Sequence, residues 1–155
     1  KRFTEALRND LRLNAPHVGV SLVMPGHVGT SIVTNSAAVL GRPSPKEMTA
    51  ADLEPVRDRM ARQGLPRDAL SDDQLRAAMQ RIADDFRDKA PLTAAAAATL
   101  ILDGVRAGTW RILVGEDAKA LDRMVRAAPE EAYEPGFMER LRGEGHLDLS
   151  LRPGG

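Results

Sequence analysis

Residues 18–34, Val-Gly-Val-Ser-Leu-Val-Met-Pro-Gly-His-Val-Gly-Thr-Ser-Ile-Val-Thr, constrain the fold of this chain more than any other stretch. A short apolar run bounded by turn residues reads as a strand covered on both faces, here leading into a Pro-Gly turn. Val18, Val20, Leu22 and Met24 share one parity, and Val23 takes the other beside the small Gly19 and Ser21. Such a strand needs neighbours on both sides. Only residues 110–114, Trp-Arg-Ile-Leu-Val, offer a comparable strand, and two strands make a poor sheet. Ligands in open α/β sheets collect at the carboxyl ends of strands, so a site is expected over residues 25–30.

Before this stretch, Phe3, Leu7 and Leu11 recur at helical spacing, and Asn14-Ala15-Pro16 ends the helix. No capping residue precedes the pattern and the chain does not start with methionine, so it is expected to be a fragment or a processed product. After it, residues 34–45 are rich in Ser, Gly and Pro and read as an irregular, mobile loop. Leu53, Val56 and Met60 mark a helix. Pro55 is best tolerated in a first turn, which favours Asp52 over Thr49 as its cap. Gly64-Leu65-Pro66 stops it. Ser71-Asp72-Asp73-Gln74 is a capping box for a helix carrying Leu75, Met79, Ile82 and Phe86. Thr93 caps an alanine-rich helix ending near Gly108, whose smooth face would let a neighbour approach closely. After the second strand, Asp117 starts one helix and Pro129 opens another through Phe137 to Leu141. Residues from Gly143 onward read as a frayed tail.

Composition narrows the function. The chain has 155 residues, 43% of them hydrophobic, enough for one folded domain with a core. Its 22 basic and 22 acidic residues balance, so nothing points to nucleic acid or an anionic membrane. The absence of cysteine excludes disulfides, thiolate zinc sites and cysteine nucleophiles. The longest apolar segment, residues 92–102, falls well short of the roughly 20 residues of a membrane span. A soluble, cytoplasmic protein is expected. No His, Asp or Glu group has metal-ligand spacing, so no metal is expected. His27 reads as a passive loop residue, and His17 and His146 are weaker candidates still. Asp72-Asp73 and Asp84-Asp85 read as a helix-start charge bias and a solvated face.

The order of segments adds a family resemblance. Phe3-Thr4-Glu5-Ala6-Leu7-Arg8-Asn9-Asp10-Leu11, then Val18-Gly-Val-Ser-Leu-Val-Met24, then Pro25-Gly26-His27-Val28-Gly29-Thr30, resembles the carboxyl-terminal half of a short-chain dehydrogenase/reductase. Residues 94–105 followed by Trp110-Arg-Ile-Leu-Val-Gly115 are similar to that family's last long helix and seventh strand. The resemblance covers about residues 1–127 and implies an α/β fold: the C-terminal part of a doubly wound, Rossmann-like parallel sheet. Residues 31–89 would be a helical substrate-lid insertion, and residues 128–155 a helical extension and tail.

By the same resemblance the cofactor is NAD or NADP, and the substrate is a small alcohol or carbonyl compound. Pro25 and Gly26 would pack on the nicotinamide, Val28 would bond its carboxamide through the main chain, and Thr30 would bond the carboxamide or the pyrophosphate. The departures matter as much. The Gly-rich phosphate turn and the catalytic Ser and Tyr-x-x-x-Lys are missing, and the only tyrosine, Tyr133, lies in the tail. No catalytic residue is therefore expected in this chain; the Tyr and Lys would lie upstream of Lys1. The family also implies a homodimer or homotetramer, paired through the first helix, the alanine-rich helix over residues 94–105 and the last strand. The competing expectation is a stand-alone, non-catalytic interaction module built from the same fold.

Overall fold

The computed structural model describes residues 2–145, so Lys1, His146 and most of the expected tail lie outside the described residues. The chain is mixed α/β and divides into two compact units, one built from residues up to Val28 and from Pro91 onward, the other from residues 29–90.

In the first unit, helix α1 (Arg2–Asn14) leads to strand β1 (Leu22–Pro25). The expected strand began at Val18, but the Val18 N–H donates to the Ala15 carbonyl at 2.9 Å. The turn forced by Pro16 thus consumes the first residues of the apolar run, and the strand starts four residues later. Strand β4 (Arg111–Val114) runs parallel to β1, pairing Leu22 with Arg111 and Pro25 with Val114. Beyond the strand ends, Leu22 N–H reaches the Trp110 carbonyl at 2.7 Å and Gly26 N–H the Val114 carbonyl at 2.9 Å. β1 is half-buried with Pro25 exposed, so the double coverage expected of it is not present: β4 is its one ladder neighbour among the described residues.

Helix α5 (Ala94–Arg106) covers one face of β4. Thr93, the last residue of the two-residue strand β3 (Leu92–Thr93), caps it as expected, its hydroxyl accepting from Ala96 N–H at 3.2 Å. Ala97, Ile112 and Val114 form the buried centre, with Val23, Val28, Leu92 and Ile101 around them. The close approach foreseen for this helix is confined to one stripe. A side chain at Gly104 would stand 2.7 Å from Ile112 Cδ1, so glycine is what lets the helix seat on the strand. Leu100, Leu102 and Val105 on the same helix are about half exposed.

On the other face of β4, Arg111 pairs with Asp122 of helix α6 (Glu116–Ala127). Pro129 opens a 3₁₀ turn (Pro129–Tyr133) and not the expected α-helix. The reason is the second proline, Pro135, which holds Glu134 extended and becomes the first residue of helix α7 (Pro135–Gly143). Phe137 and Leu141 of α7 are buried.

The second unit starts with a correction. Residues 34–45 were expected to be irregular, yet helix α2 (Ile32–Val39) occupies much of that stretch. The helix breakers begin only at Gly41 and Pro43, with Gly41 at φ 66°, and Ala37-Ala38 favour helix before them. A 3₁₀ turn (Pro45–Glu47) leads to helix α3 (Ala50–Arg62), which stops before Gly64 at φ 81°. Its cap is Thr49, not Asp52. The Thr49 hydroxyl accepts from Asp52 N–H at 3.3 Å, and the Asp52 carboxylate accepts from Thr49 N–H at 2.8 Å. Two otherwise orphaned donors are satisfied, which outweighs the donor missing at Pro55 inside the helix.

The Thr49 hydroxyl and then the Thr49 backbone hold the Asp52 carboxyl below the ordinary value. Its contribution to stability is therefore present above the ordinary carboxylate range and is lost as pH falls through the lowered folded value. Thr49→Ala should move the Asp52 titration back up, as read by carboxyl-carbon NMR; an unmoved titration would rule out the hydroxyl as the cause.

Helix α4 (Asp72–Asp88) has the expected capping box, with Ser71 N–H donating to Gln74 Oε1 at 2.9 Å. Leu53, Met60 and Leu75 make the buried core of this unit, with Met48, Val56, Leu65, Leu70 and Met79 against it. The expected charge bias at Asp72 carries more than a dipole contact, because Asp72 Oδ1 accepts from the buried Arg57 at 2.6 Å. Asp85 faces solvent and Asp84 is half-buried, each held by a basic residue further along, Arg87 on the helix and Lys89 at its cap.

Candidate functional site

The chain leaves β1 at its carboxyl end through Pro25, Gly26 and His27, and then forms the two-residue strand β2 (Val28–Gly29). β4 ends beside it, and Gly115 turns that chain into α6. Gly115 takes φ 107°, a conformation that favours glycine, and so serves as the helix cap without a side-chain acceptor. Asp117, the second residue of the helix, supplies one instead. Its Oδ1 accepts from Ala118 N–H at 2.9 Å, and its Oδ2 accepts from His27 N–H at 2.5 Å. The carboxylate is only 4% exposed.

The turn and the start of α6 are thus locked together through one side chain. A Cβ on Gly26 would lie 1.9 Å from Asp117 Oδ1, and one on Gly115 2.5 Å from the same atom. The space a Gly26 side chain would occupy is filled by Asp117, so the protein itself demands glycine there, whatever approaches the turn from outside. Glu116 and Asp117 also place two acidic residues in the first turn of α6, offsetting the positive end of the helix.

Of the residues expected to bind a cofactor, Pro25, Gly26 and Val28 lie together in the first unit. Pro25 is exposed, Gly26 and Val28 are half-buried, and Val28 packs on the Ala97, Ile112 and Val114 cluster. Thr30 falls in the second unit, half-buried and directly before Ser31, the residue that precedes α2. His27 is half-buried, His17 is exposed and Tyr133 is 95% exposed. Among the described residues no group of three or more His, Asp or Glu is placed to hold a metal ion, and no helix is long and apolar enough to cross a membrane.

Chemically the turn offers a wall more than a reaction centre: an exposed proline ring, peptide planes held by β4 and Asp117, and an apolar Val28 anchored in the core. The first unit has a second concavity, a cleft of about 240 Å³ with Arg8, Leu11, Arg12, Val20 and Trp110 in its lining. Val20 and Trp110 precede the two strands, so this cleft lies at their amino ends, away from the turn. There the Arg8 guanidinium stacks 4.3 Å from the centre of the Trp110 ring.

Asp117 is the residue that sequence reasoning missed as part of the site. A glycine cap followed two residues later by aspartate is a local hint, but its partner His27 lies 90 residues away. Comparison with protein-family models, with characterised proteins and with solved structures finds no match to the chain.

Proposed function

We propose that this chain is the carboxyl-terminal portion of an NAD(P)-dependent short-chain oxidoreductase, acting on a small alcohol or carbonyl substrate in the cytoplasm as a homodimer or homotetramer. Pro25, Gly26 and Val28 then form one side of the nicotinamide pocket of a Rossmann-like sheet. One observation carries the reading: the Pro25-Gly26 turn leaves the carboxyl end of a strand in a parallel pair, where open α/β sheets bind ligands. The bound dinucleotide would accept the hydride from an alcohol or supply it to a carbonyl. This chain's residues would hold the ring's position and exclude water, with proton transfer left to residues outside it.

The half-exposed Leu100, Leu102 and Val105 of α5 favour a second reading, an interaction module without catalysis. Both are decided by the coding sequence before Lys1 and by binding. The complete protein should bind NADH or NADPH, seen as a change in nicotinamide fluorescence, and oxidise alcohols or reduce carbonyls, while residues 1–155 alone should turn over nothing. An upstream sequence without a Gly-rich turn and a Tyr-x-x-x-Lys, or a complete protein that binds neither cofactor, would leave the module.

A further inference from the structure

We infer that Asp117 is a positioning residue, holding the Gly26–Val28 turn in the orientation that presents its backbone to the nicotinamide ring. The inference rests on the proposed role of that turn in cofactor binding. Three features of the structure carry it. The carboxylate accepts one backbone N–H on each oxygen, His27 on Oδ2 and Ala118 on Oδ1, and so ties the end of β1 to the start of α6. It is buried, and water cannot readily take over either bond. Two glycines, Gly26 and Gly115, leave it the room it occupies.

The pairing is specific to a carboxylate. Asparagine has nearly the same shape but only one acceptor oxygen, so in either orientation its amide sets a donor against one of the two backbone donors. Serine is one bond shorter and cannot reach His27 from the same position. Both variants therefore release the turn while leaving α6 a polar residue near its start.

The test uses the complete protein with Asp117→Asn and Asp117→Ser, with two readouts. Amide hydrogen exchange over residues 24–30 should speed up by about tenfold or more at His27 in both variants, with α7 unchanged. Binding of the reduced dinucleotide should weaken by about tenfold, so that the KM for cofactor rises, and kcat should fall as well, since the nicotinamide is the reacting ring and misplacing it slows hydride transfer. Unchanged exchange at His27 would overturn the inference. So would faster exchange with unchanged cofactor affinity, which would make the contact a matter of folding only, and so would kcat falling in step with thermal stability while KM stays fixed. Should the unaltered protein bind neither NADH nor NADPH, the proposed function fails and the cofactor role of Asp117 fails with it. The exchange measurement still decides whether Asp117 orders the turn.

Discussion

Gly26→Ala is expected to destabilise the unit that holds β1 and β4 by about 3 kcal/mol, the combined scale of overpacking and of lost hydrogen bonds to a charged group. The added methyl would stand 1.9 Å from Asp117 Oδ1. A clash with the end of a flexible side chain is often cheap, but this carboxylate is not free to swing. It is buried, bonded through both oxygens, and confined on another side by Gly115, where a Cβ would come within 2.5 Å. To make room it must give up His27, and the turn then loses its tie to α6. Removing the carboxylate should relieve the clash. In a double-mutant cycle, Gly26→Ala added to Asp117→Ala should cost little beyond Asp117→Ala alone, a coupling of about 2–3 kcal/mol. Urea denaturation of the four proteins measures it, and additive costs would show that the two residues do not compete for the same space.

That contact also marks where the sequence stopped being informative. Gly26 was expected to be glycine so that a flat ring could come near. The structure gives a nearer cause, a carboxylate from a helix that starts some 90 residues later. Pairings of that range leave no trace in local pattern, whereas the capping boxes do. Ser71 with Gln74 was legible because both partners lie within one turn. Thr49 shows a local conflict as well: Pro55 argues against a helix starting there, and the reciprocal bonds between Thr49 and Asp52 outweigh it.

The strand start at Leu22 and not Val18, and the helix over Ile32–Val39, show the same limit. Apolar character alone does not say whether a residue joins a ladder or finishes a turn, and a Ser-rich segment becomes helical when its breakers all lie beyond it. The chain does leave the strand next to Pro25-Gly26, where proline and glycine set backbone geometry directly, but one residue later than expected, since Pro25 still pairs with Val114.

Arg57 was not singled out by its sequence, yet its replacement should destabilise the second unit on the scale of a core truncation. Its guanidinium donates to the Arg67 carbonyl at 3.0 Å, the Leu70 carbonyl at 2.9 Å and Asp72 Oδ1 at 2.6 Å. One planar fork thereby fastens the connection between α3 and α4 to the body of α3 and to the first residue of α4. Arg67, in that connection, returns the contact by pairing with Glu54 and Asp58 of α3. Breaking a buried ion pair by removing one partner costs about 3–5 kcal/mol. The Asp72 side chain is 38% exposed and can recover water, which puts the expected cost of Arg57→Met near the lower end, about 3 kcal/mol. The methionine keeps most of the stem's packing, so the loss reads out the hydrogen bonds. Arg57→Lys keeps the charge but cannot span three acceptors in one plane, and should fall between the two. Amide exchange across α3 and α4 should quicken by about two orders of magnitude in Arg57→Met, since each 1.4 kcal/mol is about a factor of ten. A lysine variant as stable as the original would mean that charge alone holds the connection, and an unchanged methionine variant would mean that the apolar core of Leu53, Met60 and Leu75 holds it without the fork.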